Sequence, residues 1–182
     1  MKRIAFILLV FFTSKIVSVQ YKPIDEGSEL KFTIRNFGFD VAGSFTGLQG
    51  NIYFDPRSPN NMSFDVTIDA GTVNTGNTLR DEHLKNEGYF DVKNYPRIRI
   101  VSDKIKAGNK MGYILTSKLT IKGVSKEVSF PFTVVPSGDG YIFKGTFKIN
   151  RKDFGIGGSS TISDELEVSL SVLVQKNSLE NK

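Results

Sequence analysis

Alternation of period two runs through most of this chain and restricts what it can fold into. Leu30, Phe32 and Ile34 alternate with Glu29, Lys31, Thr33 and Arg35, and Phe64, Val66 and Ile68 repeat the pattern after the turn-rich "DPRSPNN". Successive side chains of a strand point to opposite faces, so each such run is a strand with one apolar face. Phe37, Phe39, Val41 and Phe45 extend the first run after a one-residue change of phase near Asn36, and Leu48, Ile52 and Phe54 follow. Ile98 and Ile100, then Tyr113, Leu115, Leu119 and Ile121, lead to the tight "KGVSK" turn. Val128, Phe130, Phe132 and Val134 return from it, "PSGDG" turns into Tyr141, Phe143, Phe147 and Ile149, and Leu166 to Val174 closes the series. About eight or nine short strands joined by tight turns predict an all-β antiparallel sandwich or barrel.

One segment breaks the pattern. Thr78 to Lys85 lacks Gly and Pro, and Thr78 is the expected cap, with Asp81 at the third helical position. Leu79, His83 and Leu84 share one side of this short helix, which Gly88 is expected to end.

The N-terminus reads differently. Lys2 and Arg3 precede the nine apolar residues "IAFILLVFF", too short a run to span a bilayer and the right length for a secretory signal. Cleavage is expected near Gln20, which divides the chain into a signal peptide (1–20), one β domain (21–175) and a polar tail (176–182). Removing residues 1–20 takes Lys2, Arg3 and Lys15 with it, so the formal charge of +5 falls to +2. A charge that small gives no reason to expect nucleic acid as a partner. The chain has no cysteine, which excludes disulfides, thiol catalysis and attachment through a lipidated N-terminal Cys. Export to the periplasm or the medium is the expected localisation, and stability must come from apolar burial, much of it from the twelve phenylalanines left after cleavage.

No arrangement with catalytic spacing emerges. His83 is the single imidazole, and no "GxSxG" elbow offers it a nucleophile. One His without Cys is a poor zinc set, and no "DxDxDG" calcium loop is present. "GIGG" at 155–158 lacks the lysine and the strand–loop–helix setting of a phosphate cradle and reads as a loop before the last strand. Neither a catalytic residue, a metal nor a cofactor is expected. The remaining chemistry is apolar: a barrel of about eight strands is just wide enough to be filled by side chains or to hold one small ligand.

Four blocks carry a resemblance: "FGFDVAGSFTGLQGNIYFDP", "TVNTGNTLRDEHLKNEGYFDVKNYP", "LTIKGVSKEV" and "INRKDFGIG", in that order from Phe37 to Gly157. Together they resemble the YceI-like family over nearly all of Tyr21 to Gln175. The resemblance implies an eight-stranded antiparallel, lipocalin-like barrel with one short helix near an end, which binds a polyisoprenoid or another long amphiphile inside. It implies that Phe32, Phe39, Phe54, Phe64, Tyr89, Phe90, Phe130, Phe132, Phe143 and Phe147 line the ligand's tunnel, with Arg80 a candidate head-group contact. The implied partner is a long-chain lipid, with membrane contact at most transient and a homodimer left open. An enzyme acting on an apolar substrate and a protein-binding module with a filled barrel are the rival readings. Tyr89 stands where the family often has Phe, and Ile98 and Ile100 follow Pro96 where an aromatic is usual. With no Trp, the chain lacks the Gly-x-Trp signature of true lipocalins.

Overall fold

The computed structural model describes residues 19–108, 112–159 and 161–177. The expected signal segment lies outside the described residues except at its last two positions. Eight strands form the fold: β1 (Gln20–Asn36), β2 (Phe39–Tyr53), β3 (Ser63–Asn74), β4 (Arg97–Ala107), β5 (Gly112–Ile121), β6 (Val124–Ser137), β7 (Gly140–Asn150) and β8 (Ile162–Lys176). Each pairs antiparallel with its sequence neighbours, and β8 returns to β1, so the sheet closes as an up-and-down barrel with no free edge. The helix α1 (Thr78–Lys85) lies in the connection from β3 to β4.

Register turns the alternation into interior layers. Leu30 faces Phe45 and Leu170, Phe32 faces Gly43 and Val168, and Ile34 faces Val41 and Leu166. Directly opposed residues share a face, so these triplets stack inside the barrel while Lys31, Thr33 and Arg35 face water. On the outer face Arg99 donates to both carboxylate oxygens of Asp65 (2.8 and 2.6 Å), holding that carboxyl below its ordinary range.

Two departures from the sequence reading occur at chain reversals. The expected phase change near Asn36 is a two-residue turn, Phe37–Gly38, with φ of +49° and +85°. Such turns need positive φ at both central residues and usually carry Asn-Gly or Asp-Gly, so a Phe-Gly pair gives no sequence signal. At α1 the cap is Asn77, whose side chain accepts from the Arg80 backbone N–H (3.0 Å). Asp81 reaches back to the Thr75 backbone N–H (2.8 Å) instead of closing a capping box with Thr78. The helix stops at Lys85, with Asn86 in extended conformation, and does not reach Gly88.

The two ends of the barrel differ. At the end holding the β2–β3 and β6–β7 connections, Tyr21, Ile52, Phe54, Met62, Ile105, Phe143 and Val174 are buried against one another. Phe54 is the hub, with edge-to-face contacts to Tyr113, Tyr141 and Phe143 at 5.6, 5.0 and 5.1 Å between ring centroids. The last described residue, Asn177, bonds through its backbone N–H to the Gln20 carbonyl (2.9 Å), so the strand pairing extends past the expected boundary at 175. The other end carries the β1–β2 turn, α1, the β5–β6 turn and the loop from Arg151 to 161.

That loop, with "GIGG" in it, is held by one buried cation. The Arg151 guanidinium donates to the carbonyls of Ile156 (2.7 Å), Gly158 (3.1 Å), Ile162 (3.1 Å) and Ser163 (3.0 Å) and pairs with Asp164 (3.1 Å). It is 3% exposed. Buried carbonyls in an irregular loop need donors, and a planar fork of five N–H groups supplies several at once.

Candidate functional site

Above the aromatic plug the barrel is hollow. A cavity of about 270 Å³ runs from Phe64, Leu115 and Phe132 in the middle of the barrel to Asn36, Thr75, Arg80 and Ile162 at the helix end. This is close to the lower limit of about 300 Å³ for small-molecule pockets. Its walls are almost wholly apolar, because they are the inward faces of strands whose period-two pattern keeps polar groups outside. The plug closes one end, so the space is a blind tunnel with its mouth beside α1.

Seven of the expected lining residues reach this space: Phe32, Phe64, Tyr89, Phe90, Phe130, Phe132 and Phe147. Phe130 and Phe147 stack face to face at 4.3 Å on one wall. Phe32, Phe45 and Phe90 form a chain of rings, with centroids 5.7 and 5.4 Å apart, between β1 and the segment after α1. Three expectations need correction. Phe54 and Phe143 point inward but lie below the cavity in the plug, 2% and 4% exposed. Phe39 is 77% exposed. It faces Asn36 across the β1–β2 hairpin, and Asn36 borders the mouth, so Phe39 projects past the wall onto the rim.

Aliphatic residues carry much of the wall and were absent from the aromatic set: Leu30, Ile34, Val66, Ile68, Val168 and Leu170 are among them. Their signal was the same alternation that marked the phenylalanines. Ile98 and Ile100, which stand where an aromatic is usual in the family resembled, also face the space.

The mouth holds the polar chemistry. Arg80 borders it and is half-buried. Its Nε donates to the Thr75 hydroxyl (2.7 Å) and its Nη2 to the Thr75 carbonyl (2.9 Å). No carboxylate among the described residues lies within ion-pairing distance of the guanidinium. Asp81 bonds the same threonine, which fixes Thr75 and through it the guanidinium. A partly desolvated cation with neutral partners favours an anion at the mouth.

His83 is elsewhere. It is exposed on α1, its ring edge-on to Tyr89 at 4.8 Å, and it does not border the cavity. Tyr89 packs over Gly157, where an added Cβ would come within 2.9 Å of the ring. The "GIGG" loop therefore supports the wall from behind.

Comparison with known proteins agrees with this geometry. The sequence profile of the YceI-like domain matches residues 21–174. A UPF0312 protein of Yersinia enterocolitica is 30% identical over 174 residues, 90% of each chain, and one of Pseudomonas aeruginosa is 31% identical over 173. Among solved structures, BcnA of Burkholderia cenocepacia superposes with a TM-score of 0.79 at 26% identity, covering 83% of this chain and 98% of that one. A polyisoprenoid-binding domain of Saccharophagus degradans superposes at 0.72 and 16% identity, covering 87% and 99%, a likeness of fold. A profile match across almost the entire barrel, with relatives at 30% identity over most of their own length, establishes that this chain belongs to the YceI-like domain family.

Proposed function

We propose that this protein is an exported binding protein that holds the chain of a long isoprenoid or similar amphiphilic lipid in its blind tunnel, for storage or transport. The observation that carries the reading is the cavity itself: an apolar space sealed at one end, with one unneutralised guanidinium at its open mouth. An amphiphile fits that asymmetry, tail toward Phe64 and head toward Arg80. Each buried methylene contributes about 0.8 kcal/mol, so one five-carbon unit gives about 4 kcal/mol; three units give about 12 kcal/mol and reach micromolar affinity after an association cost of about 4 kcal/mol. The polyisoprenoid-binding neighbour supports the choice of ligand class. The basic-then-apolar N-terminal segment supports export, and a long lipid in water needs a soluble carrier.

The test is direct. Protein purified without detergent is extracted with organic solvent, and the extract is analysed by mass spectrometry. About one long-chain lipid per protein is the expected result; repeated absence of stoichiometric lipid, with no uptake of a fluorescent prenyl probe, would sink the proposal.

A further inference from the structure

Among the described residues, five of the seven exposed large hydrophobic ones lie at the mouth end: Phe37, Phe39, Leu79, Tyr95 and Val124. The other two, Ile114 and Val135, are on the outer wall. Phe37, Phe39 and Leu79 are 74%, 77% and 85% exposed, so their side chains project almost free of the protein. Phe37 packs little against the rest of the fold. It occupies a left-handed position (φ +49°) where a bulky side chain is strained and Asn or Gly is favoured, and it buries little. Turn geometry and solubility both disfavour this residue at the tip of the hairpin.

We propose that this rim docks the barrel, mouth first, on the interfacial region of a phospholipid bilayer. Aromatic side chains expose on the order of 150–250 Å² each, so the projecting residues offer a few hundred Å², short of the roughly 800 Å² per partner of a stable protein interface. A second copy is therefore a poor occupant. A bilayer is a good one, because Phe and Leu insert individually to a shallow depth at the headgroup boundary. Beneath the hairpin tip Arg35 is paired with Asp40 (3.3 Å), so insertion of Phe37 and Phe39 needs no anionic lipid. Phe39 lies opposite Asn36 at the mouth, so docking by this rim would bring the open end of the tunnel against the membrane. The inference rests on the lipid reading of the cavity for its purpose, though not for its chemistry.

The experiment is flotation of the protein, with its natural N-terminus, on phosphatidylcholine vesicles. The rim variant Phe37→Asn/Phe39→Thr should bind at least about tenfold more weakly, since each lost aromatic removes kcal-scale burial. The wall variant Ile114→Thr/Val135→Thr should bind as the wild type does, and adding phosphatidylglycerol should change little. Phe37→Asn suits the turn, so its melting temperature should hold or rise and a folding defect cannot imitate the result. Wild-type protein that fails to float, a rim variant that floats unchanged, or a rim-dependent dimer in place of vesicle binding would each overturn docking. Solvent extraction of the same samples separates the two proposals. A rim variant that carries lipid loaded from detergent yet does not float supports docking, whereas wild type that floats but never holds lipid retires the cavity reading alone.

Discussion

Gly43 offers a way to narrow the tunnel without touching its polar mouth. It lies on β2 opposite Phe32, and an ideal Cβ there would stand 2.3 Å from Cζ and 2.5 Å from Cε1 of that ring. Ordinary carbon contacts are about 3.5–4.0 Å, so in Gly43→Ala the ring must move by about 1 Å or more. The closed sheet lies behind it, and the free direction is into the cavity. The backbone at Gly43 is ordinary strand, so alanine fits it and gains about 0.4–1 kcal/mol by restricting the unfolded chain. Displacing the Phe32 rotamer costs about 0.5–1.5 kcal/mol. The two nearly cancel, so the melting temperature should stay within about 4 °C of wild type. Binding has no such compensation. A ring that takes the place of two or three ligand methylenes removes about 2 kcal/mol, roughly 30-fold in affinity. Titration of delipidated protein with a fluorescent prenyl probe, alongside thermal melts, reads both quantities. Unchanged probe affinity with a loss of about 3 kcal/mol in stability would refute the reasoning, because Phe32 would then be a packing residue and not part of a ligand wall.

Three further outcomes follow from the same geometry. Arg80→Gln should weaken a prenyl phosphate or fatty acid about tenfold or more while leaving an uncharged prenyl alcohol nearly unaffected, measured by competition with the probe. Arg151→Met withdraws donors from four carbonyls and one of the two cations paired with Asp164, the other being Lys152, and should cost about 3 kcal/mol or more, read as a melting temperature lower by roughly 6 °C or more. Tyr21, in the plug, is pushed up from 10.0 to about 12, first by burial and then by the neighbouring Tyr141. Its phenol stays neutral in the folded protein while the unfolded chain ionises, so its contribution is complete below about pH 10 and is lost as pH rises to about 12. The loss approaches 1.4 kcal/mol per pH unit at most, and denaturant titrations should show this slope in wild type and its absence in Tyr21→Phe.

The barrel was legible because alternation is written into every strand. Leu30, Phe32 and Ile34 announced an inner face, and the register with β2 and β8 places them on it. Alternation gives the face of a side chain but not its depth along the barrel axis. That is why Phe54 and Phe143, inward like the others, belong to the plug and not to the tunnel. Phe39 misled for a different reason. Its phase is right, but the strand ends at an unannounced turn and leaves it on the rim. Asn77 and Thr78 are both good caps one residue apart, and only the bond from Arg80 N–H to Asn77 decides between them. Arg151 could not have been found by pattern, since its partners are backbone carbonyls of an irregular loop.

The four-block resemblance placed the helix segment beside the barrel, and the structure gives that segment its chemistry. Tyr89 and Phe90 wall the tunnel, Arg80 faces its mouth, and His83 stays outside. The lone imidazole, the most conspicuous residue in the sequence, is peripheral to the cavity.

The account stands on what occupies the space between Phe64 and Arg80. A crystal structure of protein that has never met detergent measures this most directly. The account predicts continuous, elongated density along the tunnel, ending in a polar group at the Arg80 guanidinium. Wall side chains collapsed onto one another, or a file of ordered waters in place of a chain, would contradict it.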